Sequence, residues 1–270
     1  MRRALVIATA VAATWAGVAA ADGVGPSPGE SFGAAGVVGP GGAHRFITVP
    51  ANRGTVVETV SVRGGRVLNS RFLRGYFGIP MVAYDGSTDG ISHDGRRLVL
   101  VSQGARTTIL SLDPATLRTR AQIRLPGYWA FDALSPGASL LYLIQYLGGP
   151  NANGQQPYAV RALNLNTRRL YADAIVDRRE PDEKMTGSAQ TRTASGDGRW
   201  AYTLYSRPSD HPFVHALDTV GRRAFCVDLP WKAAPWVSSV RMTLRGGELL
   251  LRRNGRTLAR MDTHTFEVSR

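Results

Sequence analysis

Ser92-His93-Asp94-Gly95-Arg96-Arg97-Leu98-Val99-Leu100-Val101-Ser102 is the stretch whose reading decides the fold. It runs from the end of one strand, through a tight Asp-Gly turn, into a second strand. Glycine favours that turn because a residue without a Cβ takes positive φ at no steric cost. Related patterns stand at Ser135-Pro136-Gly137-Ala138-Ser139-Leu140-Leu141, at Ser195-Gly196-Asp197-Gly198-Arg199-Trp200-Ala201 and at Leu244-Arg245-Gly246-Gly247-Glu248-Leu249-Leu250. A repeat of roughly 40–60 residues with this strand chemistry predicts stacked four-stranded blades, since one such unit cannot bury its apolar faces alone.

Working outward, five units of short β-branched strands fall between turns. The first holds Arg45–Val49, Thr55–Val62 and Arg66–Leu68; the second Arg97–Ser102, Thr107–Asp113 and Ala121–Pro126; the third Leu140–Tyr146, Tyr158–Asn164 and Leu170–Val176. The fourth holds Trp200–Ser206, Phe213–Asp218 and Ala224–Pro230, and the fifth Glu248–Arg253, Thr257–Asp262 and Phe266–Ser269. Each third strand closes on an apolar residue and an Asx: Leu112-Asp113, Leu163-Asn164, Leu217-Asp218 and Met261-Asp262. An Asx side chain caps the turn that follows by bonding its backbone. Unit ends correspond too: Leu73-Arg74-Gly75-Tyr76-Phe77 matches Leu125-Pro126-Gly127-Tyr128-Trp129, with Leu229-Pro230-Trp231 a looser copy. No stretch of ten or more residues keeps a helical period.

These turns and Leu-Asx closures resemble the superfamily of exported β-propellers that includes the WD-repeat-like, lactonase-like and quinoprotein-like propellers. The resemblance covers about residues 44–270, and the Trp-Asp dipeptide of true WD repeats is absent. It implies an all-β propeller of about five four-stranded blades closing as a ring. The first unit lacks a clear innermost strand, so either residues 34–38 supply it or that unit is three-stranded. An open two-sheet sandwich is the main alternative architecture.

Residues 1–21 have the order of a secretory signal: Met1-Arg2-Arg3, an uncharged apolar run, then Ala19-Ala20-Ala21. The rival reading is an uncleaved anchor, since the run approaches the ~18 residues that span a bilayer. The leader implies a secreted or cell-envelope location. Residues 22–43 are rich in glycine and proline and read as a flexible tether before a single propeller domain at 44–270. The net charge of +13 comes almost wholly from arginine, Lys184 and Lys232 being the only lysines. Arg106, Arg118, Arg161 and Arg253 are scattered over strands and turns. With no recognition-helix pattern and an export signal, nucleic acid is set aside as a partner. Cys226, the one cysteine, lies in an apolar run and reads as a small core residue; no intramolecular disulfide can form.

Successive propeller strands run antiparallel, so loops joining second to third strands share a face with the loops between blades. Leu147–Pro157, Arg207–Pro212, Asp177–Gly187 and Gly75–Gly86 are the long ones, and all are expected on that face. Tyr76, Phe77, Tyr128, Trp129, Trp231 and Trp236 are expected there too, as wedges between blades or as ligand contacts. Loop residues Arg207 and His211 join the candidates. Three places before each turn serine, or its counterpart, stand Asp89, Asp132, Arg192 and Arg241, each on an innermost strand. They form either a closed ion-pair ring or a channel mouth gripping a polar ligand. Asp85, Ser87 and Asp89 match the first half of a calcium loop, but Arg96 stands where the bidentate glutamate belongs. No histidine pair has metal spacing, and no nucleophile elbow is present.

Two functions follow. The first is a non-catalytic exported propeller, without a resident cofactor, that binds a small ligand or an envelope or extracellular protein at its loop-bearing face and channel mouth. The second is a lactonase-like or other hydrolase using Asp89, Asp132 and His211, with calcium assistance. A quinone-cofactor dehydrogenase fits less well, because the usual rings are larger. Fold likeness alone does not choose among them.

Overall fold

The computed structural model describes residues 35–149, 156–208 and 210–270. The leader, the start of the tether and part of the Leu147–Pro157 insertion lie outside the described residues.

The strands fold into five antiparallel sheets, each made of consecutive segments. Blade 1 is β1 (Val37–Val38), β2 (His44–Ala51), β3 (Gly54–Ser61) and β4 (Val67–Arg74). Blade 2 is β5 (Leu98–Ser102), β6 (Arg106–Leu112) and β7 (Thr119–Pro126). Blade 3 is β8 (Trp129–Leu134), β9 (Leu140–Tyr146), β10 (Tyr158–Asn164) and β11 (Leu170–Ile175). Blade 4 is β12 (Ser188–Ala194), β13 (Trp200–Ser206), β14 (Phe213–Asp218) and β15 (Arg223–Asp228). Blade 5 is β16 (Arg241–Arg245), β17 (Glu248–Arg253), β18 (Arg256–Asp262) and β19 (Val268–Ser269).

Blade 1 is complete, like blades 3 to 5, and blade 2 alone is a strand short. Val37–Val38, inside the stretch read as a tether, pair with Arg45 and Phe46 as the innermost strand. In blade 2 the innermost place is filled by two isolated bridges, Gly78 to Val101 and Ile91 to Leu98.

The repeated turn owes its form to its serine and aspartate. Ser92 Oγ accepts from Arg97 N at 3.0 Å, and Asp94 Oδ1 accepts from Arg96 N at 3.0 Å. Ser195 Oγ accepts from Trp200 N at 2.8 Å, and Ser135 Oγ from Leu140 N at 3.0 Å. The Asx residues work equally regularly. Asp113, Asn164, Asp218 and Asp262 each accept, through Oδ1, from the amides two and three positions on. Four positions after each Asx, the chain enters the left-handed region at Leu117, Arg168, Arg222 and Phe266.

Packing follows the two-residue period of a strand. In β5, Leu98 and Leu100 pack towards blade 1, with Phe46, Val57 and Leu73. Val99 and Val101, on the other side, pack towards blade 3, with Phe131, Leu141 and Leu143. Tyr142 and Val160 meet Ala189, Ala201 and Tyr205 between blades 3 and 4. Leu204 and Val214 meet Met242, Leu249 and Leu251 between blades 4 and 5. Burial on both faces explains why the central strands are continuous apolar runs. Each fully buried Leu or Val contributes about 1.5–3 kcal/mol.

No such cluster joins blade 5 to blade 1 among the described residues. The outer face of blade 1 aligns Val49, Val56 and Phe72 across three strands, and Phe72 is 53% exposed. The outer face of blade 5 instead carries exposed Arg241, Arg245, Arg252 and Arg260.

The segment between blades 1 and 2, read from sequence as a loop, is a hairpin across the centre. Met81 pairs with Thr88, Val82 N donates to Ser87 O at 2.8 Å, and Gly86 makes the turn at φ +86°. Its tip lands on blade 4: Tyr84 N donates to Ala189 O at 3.0 Å and Asp85 N to Gln190 O at 3.2 Å. The acceptors are free because β12 has a register shift between Ala189 and Thr191. Thr88 Oγ1 ties the base of the hairpin to Gly36 O of blade 1 at 2.6 Å.

Candidate functional site

Three of the four innermost-strand charges meet. Arg192 of β12 donates Nη1 to the Asp132 carbonyl, Nη2 to Asp132 Oδ1 and, at 2.9 Å, Nε to Thr203 Oγ1. Asp89 Oδ2 stands 3.9 Å from Arg192 Nη1. Arg192 and Asp132 are almost wholly enclosed, Asp132 at 2% exposure, whereas the Asp89 side chain keeps 29%. Burial pushes the Asp89 carboxyl up to about 6, against the pull of Arg192 and the Gly90 amide. Burial also opposes the Arg192 charge, but Asp132 and Asp89 outweigh it and hold the guanidinium protonated.

Arg241 does not join them. Its Nε lies 3.8 Å from Asp85 Oδ2 on the crossing hairpin, which occupies the centre between blade 5 and the triad. The four-residue ring expected from sequence is therefore a triad and a separate pair. Nor do Asp85, Ser87 and Asp89 converge. Asp85 Oδ1 caps its own turn, accepting from Ser87 N and Oγ, while Asp89 Oδ1 accepts from Gly90 N at 2.6 Å. Among the described residues no group of three or more His, Cys, Asp or Glu side chains is arranged around a metal position.

Beside the triad, blades 3 and 4 leave a cleft lined by Tyr84, Phe131, Asp132, Tyr146, Tyr158 and Tyr205, with the Gly187–Ala189 backbone along one side. Its free space is about 20 Å³, the room of about one water. The Tyr158 and Tyr205 rings stack with centroids 5.7 Å apart. Two polar atoms of the lining, Asp132 Oδ2 and Tyr158 Oη, are buried without a hydrogen-bond partner. Desolvation raises the Tyr158 and Tyr205 hydroxyls above the usual tyrosine range, so both stay protonated. Sequence reasoning named Asp132 but missed the tyrosines. Their signal was the register that sets Tyr146 opposite Tyr158 on β9 and β10.

Most of the remaining candidates serve the frame. Trp129 is buried in the blade 2–3 core and donates Nε1 to Pro126 O at 2.9 Å, so it is a wedge and not a ligand contact. Phe77 is likewise in the core. Trp231 and Trp236 pack together, centroids 5.9 Å apart, against the blade 4–5 core, with Arg253 over the Trp236 ring. Arg207 is consumed by Glu183 at 2.6 Å, Asp228 at 2.9 Å and the Phe213 ring, which pins two loops together. His211 is held against the segment that follows β15, Nδ1 lying 2.7 Å from Leu229 O. Tyr76 and Tyr128 are exposed, Tyr128 with its ring 6.2 Å from that of Tyr146, near the cleft.

One nucleophile touches a base: Cys226 Sγ lies 3.8 Å from His215 Nδ1. Burial pushes the thiol up to about 12 and the imidazole down. Both are thus held neutral, the reverse of the thiolate–imidazolium state that a cysteine nucleophile needs.

Antiparallel four-stranded sheets packed face to face around hairpin-lined inner strands define the class: this chain has the fold of the β-propeller superfamily. No protein-family model matches it, and no curated protein sequence matches it. Among solved structures it is similar to the β-propeller domain of Cps50 (Swd1) from Myceliophteria thermophila, with a TM-score of 0.50 and 11% identity, over 86% of this chain and 67% of that one. An acylaminoacyl peptidase gives a TM-score of 0.50 at 11% identity, over 80% of this chain and 35% of that one. TolB from Acinetobacter baumannii gives 0.45 at 14% identity, over 84% and 51%. At such identities the likeness is one of fold.

Proposed function

We propose that this chain is an exported, non-catalytic binding module whose recognition surface is the face that carries the crossing hairpin and the blade 3–4 cleft. One observation carries the reading: a tyrosine-walled cleft holds an unpartnered, buried carboxylate oxygen. A buried acceptor without a donor is a cost that a ligand can offset. The hydrolase alternative is less supported, because the central acids face arginines instead of a metal position. The leader-like start of the chain supports export, and among the described residues no helix is long and apolar enough to cross a membrane.

The test is a thermal-shift screen of the full chain against lactones, sugars, amines and short peptides, with product formation followed in parallel. Binding without turnover is expected for at least one class. Lactone or ester turnover that disappears in Asp132→Asn, or no shift with any class, would overturn the reading.

A further inference from the structure

We propose that the cleft between blades 3 and 4 is a receptor for a primary ammonium group. The proposal deepens the binding-module reading and rests on it. Its argument is a count of charges, donors and space.

Charge comes first. The centre holds two carboxylates, Asp89 and Asp132, against one guanidinium, Arg192. The other pair, Arg241 and Asp85, is self-balanced. His215, which backs the same interface, is wholly buried and neutral, so it adds no positive charge. The two acids of this centre outnumber its one base, with Asp132 in the cleft lining and Asp89 beside it at 29% exposure.

Hydrogen bonding comes second. Asp132 and Tyr158 line the cleft, and Asp132 Oδ2 and Tyr158 Oη lie buried beside it without partners. Both accept hydrogen bonds, and an ammonium supplies three donors. The Tyr84, Tyr146, Tyr158 and Tyr205 rings wall the space, and their faces attract cations. A water would satisfy the two oxygens but leave the charge unmatched.

Size comes third. The room of about 20 Å³ takes an NH3 group, which is close to a water in size. It is too narrow for a quaternary ammonium or for a planar guanidinium with its five-donor fork. The ligand is a free alkylamine or the tip of a partner's lysine; the two share one chemistry, and the test separates them.

The full chain is titrated calorimetrically, at constant ionic strength, with n-butylammonium, 1-butanol, tetramethylammonium and a lysine-containing peptide beside its Lys→norleucine twin. Butylammonium is expected to saturate with a Kd on the order of 1 mM. Butanol and tetramethylammonium should bind at least about tenfold more weakly, because each lacks either the charge or the fit. Tyr158→Phe keeps the ring, removes one acceptor and should weaken butylammonium about tenfold. It keeps the test decisive if Asp132→Asn, which strands Arg192, fails to fold. Tighter binding of the lysine peptide than of butylammonium, lost in its twin, assigns the ammonium to a protein partner; the reverse order assigns it to a free amine. Equal binding of butanol, unchanged affinity in Tyr158→Phe, or no saturable amine binding would each overturn the proposal. If the norleucine peptide binds while amines neither bind nor compete, the chain is still a binding module and only the ammonium assignment falls.

Discussion

Replacing Asp218 by asparagine separates what its shape does from what its charge does. Asp218 closes β14 with its side chain wholly enclosed. Oδ1 accepts from the Val220 and Gly221 amides at 3.1 and 2.9 Å and from Arg199 Nε at 2.9 Å. Oδ2 accepts from Arg199 Nη2 at 2.8 Å and Arg223 Nε at 3.0 Å. Burial alone would raise this carboxyl, but the arginines and amides overcome it and hold it down at about 2, from an ordinary 3.8. At about 1.4 kcal/mol per pH unit, that gap is on the order of 2 kcal/mol of stability in the ionised form. Asparagine keeps an Oδ1 for the turn and loses the charge. Asp218→Asn should therefore melt about 4–8 °C below the native chain at pH 7. Because the folded-state carboxyl lies below its unfolded value, the contribution is complete above about pH 4 and is lost as the pH falls towards 2. Melting followed by circular dichroism from pH 2 to 7 reads both effects. A melting point within about 1 °C of the native chain at pH 7, or a difference that persists undiminished at pH 2, would refute the reasoning.

Asp89 runs the other way. Its folded-state carboxyl is raised from 3.8 to about 6, so stability falls as the pH rises between those values; Asp89→Asn should flatten that limb in a pH series of urea melts. Cys226, with its thiol pushed up to about 12, should not react with a disulfide reagent at pH 8 until the chain unfolds; rapid labelling of the native chain would contradict its burial. Val57→Ala, which empties a fully buried site between blades 1 and 2, should cost about 2 kcal/mol. Phe72→Ser on the open face of blade 1 should change stability by less than about 0.5 kcal/mol; equal losses would mean that a partner surface covers that face.

Much of the frame was legible because its signals are local. The Ser and Asp of Ser92–Gly95 and Ser195–Gly198 bond within their own turns, and the Asx of each third strand caps amides two and three residues away. A pattern enforced over a few residues is visible in one chain. Aligning those turns also placed Asp89, Asp132 and Arg192 on neighbouring inner strands, where the structure brings them together. Arg241 escaped the same logic because its partner is chosen by the crossing hairpin, whose Gly, Pro and Asp content reads as loop. Phe77 and Trp129 could not be sorted from the exposed Tyr76 and Tyr128 by composition, since adjacent residues at a strand end point to opposite sides. The cleft was hidden for a similar reason. Tyr146 and Tyr158 share a blade, but Tyr84 and Tyr205 arrive from distant segments, and only the assembled interface makes them one wall.

The crossing hairpin has a consequence for how the chain is built. Two of its tip amides, those of Tyr84 and Asp85, find their acceptors in a segment that is made about a hundred residues later. A chain emerging from its amino end would carry blades 1 and 2 with an unanchored bolt until residues 189 and 190 follow. Blade-by-blade growth can therefore begin early, but the centre locks only after blade 4 arrives. Fragments that stop short of β12 should assemble their local sheets and still lack the stiffness of the whole.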